Sequence, residues 1–134
     1  MLTSSRVNTA LPAQDIDRAK AFYRDKLGLQ PVDDDGSNVR YQVADGTEFN
    51  VFRTMGAPSG THTQMAFVVQ DITGEVKDLK SRGVGFEEYD FPGLKTKDSI
   101  AEAGDGARAA WFKDSEGNML SIVQPARVAA GRTA

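Results

Sequence analysis

Gln14-Asp15-Ile16 returns 56 positions later as Gln70-Asp71-Ile72, and what surrounds the two copies also repeats. Before each lies an alternating strand pattern, VNTALPA (7 to 13) and MAFVV (65 to 69). After each comes helical spacing: Ile16, Ala19, Phe22, Tyr23 and Leu27 in the first copy, Ile72, Val76 and Leu79 in the second. Asp15 and Asp71 stand where an N-cap carboxylate accepts from the free amides of a first turn. Gly28 and Gly83 stand where a left-handed C-cap ends a helix. The spacing predicts helices over 15–28 and 71–83.

Each helix is followed by three strand candidates. In the first half these are Leu29–Val32, Asn38–Val43 and Glu48–Arg53; in the second they are Val84–Tyr89, Ala107–Lys113 and Met119–Gln124. Gly46 aligns with Gly117 at an offset of 71, so the second half carries an insertion, expected as a coreless loop over 91–107. The predicted class is α+β: tandem βαβββ modules, 6–54 and 63–124, forming curved mixed sheets around a cleft. The 134 residues then make one domain, with 125–134 as a flexible tail.

Composition excludes several functions. There is no cysteine, hence no disulfide, thiolate metal site or cysteine nucleophile, which suits a cytoplasmic protein. Sixteen Lys and Arg against nineteen Asp and Glu give a net charge of −3 with no basic stripe, so no nucleic-acid partner is expected. Apolar runs are too short for a membrane span. GDGARA (104 to 109) spells a dinucleotide fingerprint, but a strand follows it where that motif needs a helix.

AFYRDKLGL (21 to 29) and WFKDSEGNMLSIV (111 to 123) resemble the two signatures of the vicinal oxygen chelate superfamily, which includes glyoxalase I, bleomycin-resistance proteins and extradiol dioxygenases. The resemblance spans residues 6 to about 124 and implies the tandem βαβββ fold and a homodimer. It also implies a site: the four strand positions that carry His, Gln or Glu metal ligands in that superfamily are here Asn8, Asn50, Gln64 and Ser121. Strand alternation alone puts these four on the faces turned away from the helices. No member of the set is charged or an imidazole, so no metal and no cofactor is expected.

The remaining candidates follow from the same parity. Phe52, Met119 and Trp111 would supply contact area to a small molecule, with the 91–107 loop as a lid. Phe52, Met119 and Val123 would leave the face apolar, as pocket walls are. Half-exposed sheet residues with no ligand are the plain alternative. His62, the sole histidine, and Glu48 are candidates for an acid–base pair, although His62 sits in loop-like sequence. Asp114, Gly117 and Asn118 are read as turn chemistry. Three functions remain: a metal-free binding protein for a drug or metabolite, an enzyme of this superfamily (lyase, isomerase or dioxygenase-like) using His62 and Glu48 or an atypical metal site, or a partner-binding module.

Overall fold

The computed structural model describes residues 1–126; the tail expected over 125–134 lies, from 127 on, outside the described residues. Contacts divide the chain into two compact units. One is Met1–Thr61 together with Asp114–Asn118, and the other is His62–Lys113 together with the chain from Met119.

In the first unit, β1 (Thr9–Ala13) leads into α1 (Ile16–Asp25), followed by β2 (Asp33–Asp34), β3 (Asn38–Gln42) and β4 (Glu48–Arg53). The sheet order is β1-β4-β3-β2, with β1 parallel to β4 and the other pairs antiparallel. Asp15 caps α1 by accepting from the Arg18 N–H at 3.0 Å. The helix buries Ile16, Ala19 and Tyr23. On the sheet, Leu11, Val39, Tyr41, Phe49 and Val51 are each at most 2% exposed. The centre of this core is aromatic: Tyr41 stacks on Phe49 at 5.0 Å and on Tyr23 at 5.4 Å. Burial, with the Asp34 charge as a lesser cause, pushes the Tyr41 phenol up to about 12.

The second unit repeats the opening. β5 (Met65–Val68) leads into α2 (Ile72–Ser81), whose N-cap Asp71 accepts from the Gly74 N–H at 3.1 Å. Ile72, Val76 and Leu79 face Ala110, Phe112, Leu120 and Ile122, all buried. Past the helix, Gly83 adopts φ +91, a conformation that costs a side-chain-bearing residue about 1 kcal/mol.

The expectation fails in two places here. Val84–Tyr89 is not a strand; only a single bridge, Phe86 to Phe112, forms there. The stretch expected as a coreless loop instead folds into β6 (Asp90–Phe91), β7 (Leu94–Lys97) and β8 (Ile100–Glu102). These extend the sheet of β9 (Arg108–Lys113) and β10 (Met119–Gln124) to the order β5-β10-β9-β8-β7-β6. A stretch hydrogen-bonded into a sheet is not a free lid. Two tight turns make it possible. Pro92-Gly93 joins β6 to β7, with Gly93 at φ +83. Asp98-Ser99 joins β7 to β8 with both residues at positive φ, the type I′ pattern. The Glu88 carboxylate holds that second turn. It accepts from the hydroxyls of Ser99 and Thr96, each at 2.7 Å, and those bonds hold its pKa below the usual carboxylate range.

In the first half, Leu29–Val32 is likewise not a strand, and β2 is displaced to Asp33–Asp34. Val7, expected to open the first strand, precedes β1 and is 92% exposed.

Candidate functional site

On the first unit's sheet, the face turned from α1 carries rows set by the register. Ala10, Asn50 and Arg40 stand side by side, as do Pro12, Phe52 and Asn38. One step before the β1 pairing begins, Asn8 meets Glu48, and the two line a depression of about 210 Å³ with Arg6 and Val7. Arg40 Nη1 reaches diagonally to Glu48 Oε1 at 2.7 Å. One Glu48 oxygen is therefore held by a cation. Asn50 Oδ1 is buried and has no hydrogen-bond partner among the described residues. Such an acceptor has lost its water without replacement, which destabilises the free protein. Asn8, Glu48 and Asn50 thus share one face, with Phe52 beside them.

On the second unit's sheet, Ser121 stands opposite Trp111 on β9 and Ala66 on β5; Met119 stands opposite Lys113. Gln64 uses both backbone and side chain on Met119: its N–H donates to the Met119 carbonyl at 2.8 Å, and its Oε1 accepts from the Met119 N–H at 3.3 Å. The expectation of an open cleft-facing surface is corrected at two residues. Met119 is 3% exposed and Ser121 2%. Trp111 lies on the same face, directly opposite Ser121 in the register. Its Nε1 donates to Thr63 Oγ1 at 3.0 Å. Thr63 precedes β5 and Trp111 lies on β9, so the indole must cross the intervening β10 over Ser121 and Met119. Tyr89 meets the indole edge-on, with centroids 5.5 Å apart. The Ser121 hydroxyl itself has no hydrogen-bond partner among the described residues. Beyond the indole, Ala66 is exposed and Val68 is 71% exposed.

His62 is exposed, belongs to the second unit, and has no hydrogen bond or ion pair among the described residues. Glu48 belongs to the first unit and is paired with Arg40.

Asp114, Gly117 and Asn118 do form a turn, but turn chemistry is not all they do. Asp114 is 6% exposed and accepts four hydrogen bonds: Tyr23 OH at 2.7 Å and Asn118 Nδ2 at 2.9 Å on one oxygen, the Glu116 and Asn118 N–H groups on the other. Asn118 Nδ2 also donates to the Pro12 carbonyl at 3.0 Å. Glu116 takes both arms of Arg18 and the Asp15 N–H. The aligned turn in the first half has Val43 and Thr47 at the Asp114 and Asn118 positions, with the same closing backbone bond. A carboxylate in place of Val43 and an amide in place of Thr47, found only in the second copy, are the signal that they have a role beyond the turn.

The donor set of the four expected ligand positions does not suit a divalent metal. It offers neutral amides and a hydroxyl, and the Gln64 oxygen is already committed to a backbone N–H. Among the described residues, no group of three His, Cys, Asp or Glu side chains is placed to hold a metal ion.

Residues 6–43 match the family described as bleomycin resistance protein-like N-terminal. No curated protein sequence matches the chain. Among solved structures, the chain is similar to a bleomycin-binding protein complexed with bleomycin, at 21% identity and TM-score 0.69, covering 91% of this chain and 99% of that one. A lactoylglutathione lyase from Agrobacterium tumefaciens aligns at 22% identity and TM-score 0.63, covering 90% and 93%. A glyoxalase/bleomycin resistance protein/dioxygenase from Nocardioides aligns at 18% and TM-score 0.69, covering 100% and 94%. The chain therefore carries the glyoxalase/bleomycin-resistance fold.

Proposed function

We propose that this chain is a binding protein for a drug or metabolite, that it works without a resident metal, and that it acts as a homodimer. The observation that carries the reading is an unmet polar group on a sheet face turned from the helices, Asn50 Oδ1. A binding surface keeps such groups because a ligand supplies the missing partner, and apolar neighbours such as Phe52, Ala66 and Val68 supply contact area. The bleomycin-bound relative supports a small-molecule ligand. The neutral donor set at Asn8, Asn50, Gln64 and Ser121 supports metal independence. β1 and β5 are terminal strands of their sheets, which supports pairing with a second copy.

The test is a thermal-shift and calorimetry panel of natural products, bleomycin included, run in EDTA. Saturation at a hundred times Kd stabilises by about 2.7 kcal/mol, roughly 10 °C in Tm for a chain of this size. A saturable shift that survives EDTA is expected. A shift that appears only when nickel, zinc or manganese is added refutes metal independence, and no shift from any compound refutes the binding reading. Light scattering of the same sample checks the dimer.

A further inference from the structure

We propose that Trp111 is a movable cover which, in the free protein, fills a slot over Ser121 that a planar heteroaromatic ligand bearing a ring N–H takes when the indole swings out. The inference rests on the binding reading above and assigns it a ligand class.

Three features describe the slot. Its floor is Ser121, a buried residue flanked by Ala66 in the register. Its wall is the Tyr89 ring, perpendicular to the occupant. Its far end is Thr63 Oγ1, an acceptor that receives the occupant's ring N–H. The present occupant is a flat bicyclic ring with one N–H donor, and a ligand that replaces it must share that shape and that donor. It would gain where the indole does not, by also meeting the Ser121 hydroxyl through a ring heteroatom. The strand beneath offers Ser121 and Met119, and the next strand an exposed alanine, so the indole is only partly backed by large side chains.

The cover is lightly fastened. Apart from the edge contact with Tyr89, its polar anchor is a single neutral hydrogen bond, and Thr63 is exposed and outside any strand. The indole is half-buried rather than enclosed, so it has a way out. Beyond it the exposed Ala66 and Val68 form an apolar shoulder along which a ring can approach. Because the closed cover competes with the ligand, apparent affinity is reduced by the closed fraction.

Trp111 is the sole tryptophan, so its indole N–H gives one isolated signal in a nitrogen–proton correlation spectrum. The probes are indole and 1-methylindole, in which a methyl group replaces the donor hydrogen. With the wild-type protein, indole is expected to move the Trp111 signal towards the position of a solvent-exposed tryptophan, and to bind about fivefold more tightly than 1-methylindole. In Thr63→Val the signal should already lie near that position, and the preference for indole should vanish. Ser121→Ala should leave the free-state signal in place. A Trp111 signal that stays fixed while a probe binds overturns the cover. Equal affinity for both probes in the wild type, or no binding of either, overturns the ligand class. If both probes fail while the wider panel gives an EDTA-resistant shift, the slot falls and the binding reading stands; if the panel also fails, both fall.

Discussion

Tyr23→Phe removes one oxygen and tests whether the 114–118 turn contributes to the stability of the first unit. The phenol is fully buried and donates to Asp114 Oδ2 at 2.7 Å across 91 residues of sequence. Burial, then the Asp114 charge and hydrogen bond, pushes the Tyr23 phenol well above its ordinary value, so it remains a donor throughout the usable pH range. The substitution leaves the ring and its stacking on Tyr41 in place. What is lost is one hydrogen bond to a charged, buried acceptor, worth about 1.5–3 kcal/mol. The acceptor keeps Asn118 Nδ2 on the same oxygen, which places the expected loss at the lower end, about 1.5–2 kcal/mol. Asp114→Ala goes further, because it strands the Tyr23 hydroxyl and two N–H groups and takes one of two partners from the Asn118 amide; a loss of about 3 kcal/mol or more is expected. Urea unfolding followed by circular dichroism gives both values from the midpoint, provided the slope is unchanged. A Tyr23→Phe midpoint within about 0.5 kcal/mol of wild type would mean that water replaces the phenol at no cost, and that the network is ornamental.

Three further outcomes are expected. Burial alone would raise the Glu116 pKa, but Arg18, the Asp15 N–H and Ser115 together hold it below the usual range; this stability is present above the unfolded-state value and is lost as pH falls through the folded one, so Glu116→Gln should flatten the acid limb of an unfolding free energy–pH curve. Gly83→Ala, at φ +91, should cost about 1 kcal/mol in the same urea assay. His62→Ala should change stability by less than about 0.5 kcal/mol, since His62 is exposed and unpartnered among the described residues; if a turnover is found and this substitution abolishes it, the proton-transfer reading replaces the binding one.

The helices and the strands flanking them were legible because several local signals agree there: Asp15 and Asp71 as caps, helical spacing of apolar residues, and glycine after each end. Glu48–Arg53 and Met119–Gln124 were legible because alternating apolar residues are bounded by turn sequences. β6, β7 and β8 were not. Their residues, among them Lys95, Lys97 and Glu102, are largely polar, since little of that part of the sheet is buried. The Asp98-Ser99 turn lacks the glycine that usually marks positive φ; Pro92-Gly93 was the one readable signal. Parity predicted which residues leave the helix-facing side, so Asn50 and Ser121 were found. Parity carries no information about what lies above a residue, so the indole over Ser121 was invisible: its anchor, Thr63, sits outside any periodic pattern. The same limit hid Asp114, whose partner Tyr23 is brought to it by tertiary structure alone.

The membership of Asp114–Asn118 in the first unit bears on how the chain comes off the ribosome. The first sixty-one residues emerge early with a helix and four strands, yet Tyr23, Pro12, Asp15 and Arg18 then face partners that have not been made. The missing five residues are made only after the intervening His62–Lys113 segment of the second unit. Domains often fold one after another as they are translated; this arrangement withholds completion of the early one until the late one is out. A transcript truncated before codon 114 would therefore yield an N-terminal fragment with a buried tyrosine hydroxyl and no acceptor for it. Such a fragment is a substrate for proteases rather than a half-sized working protein.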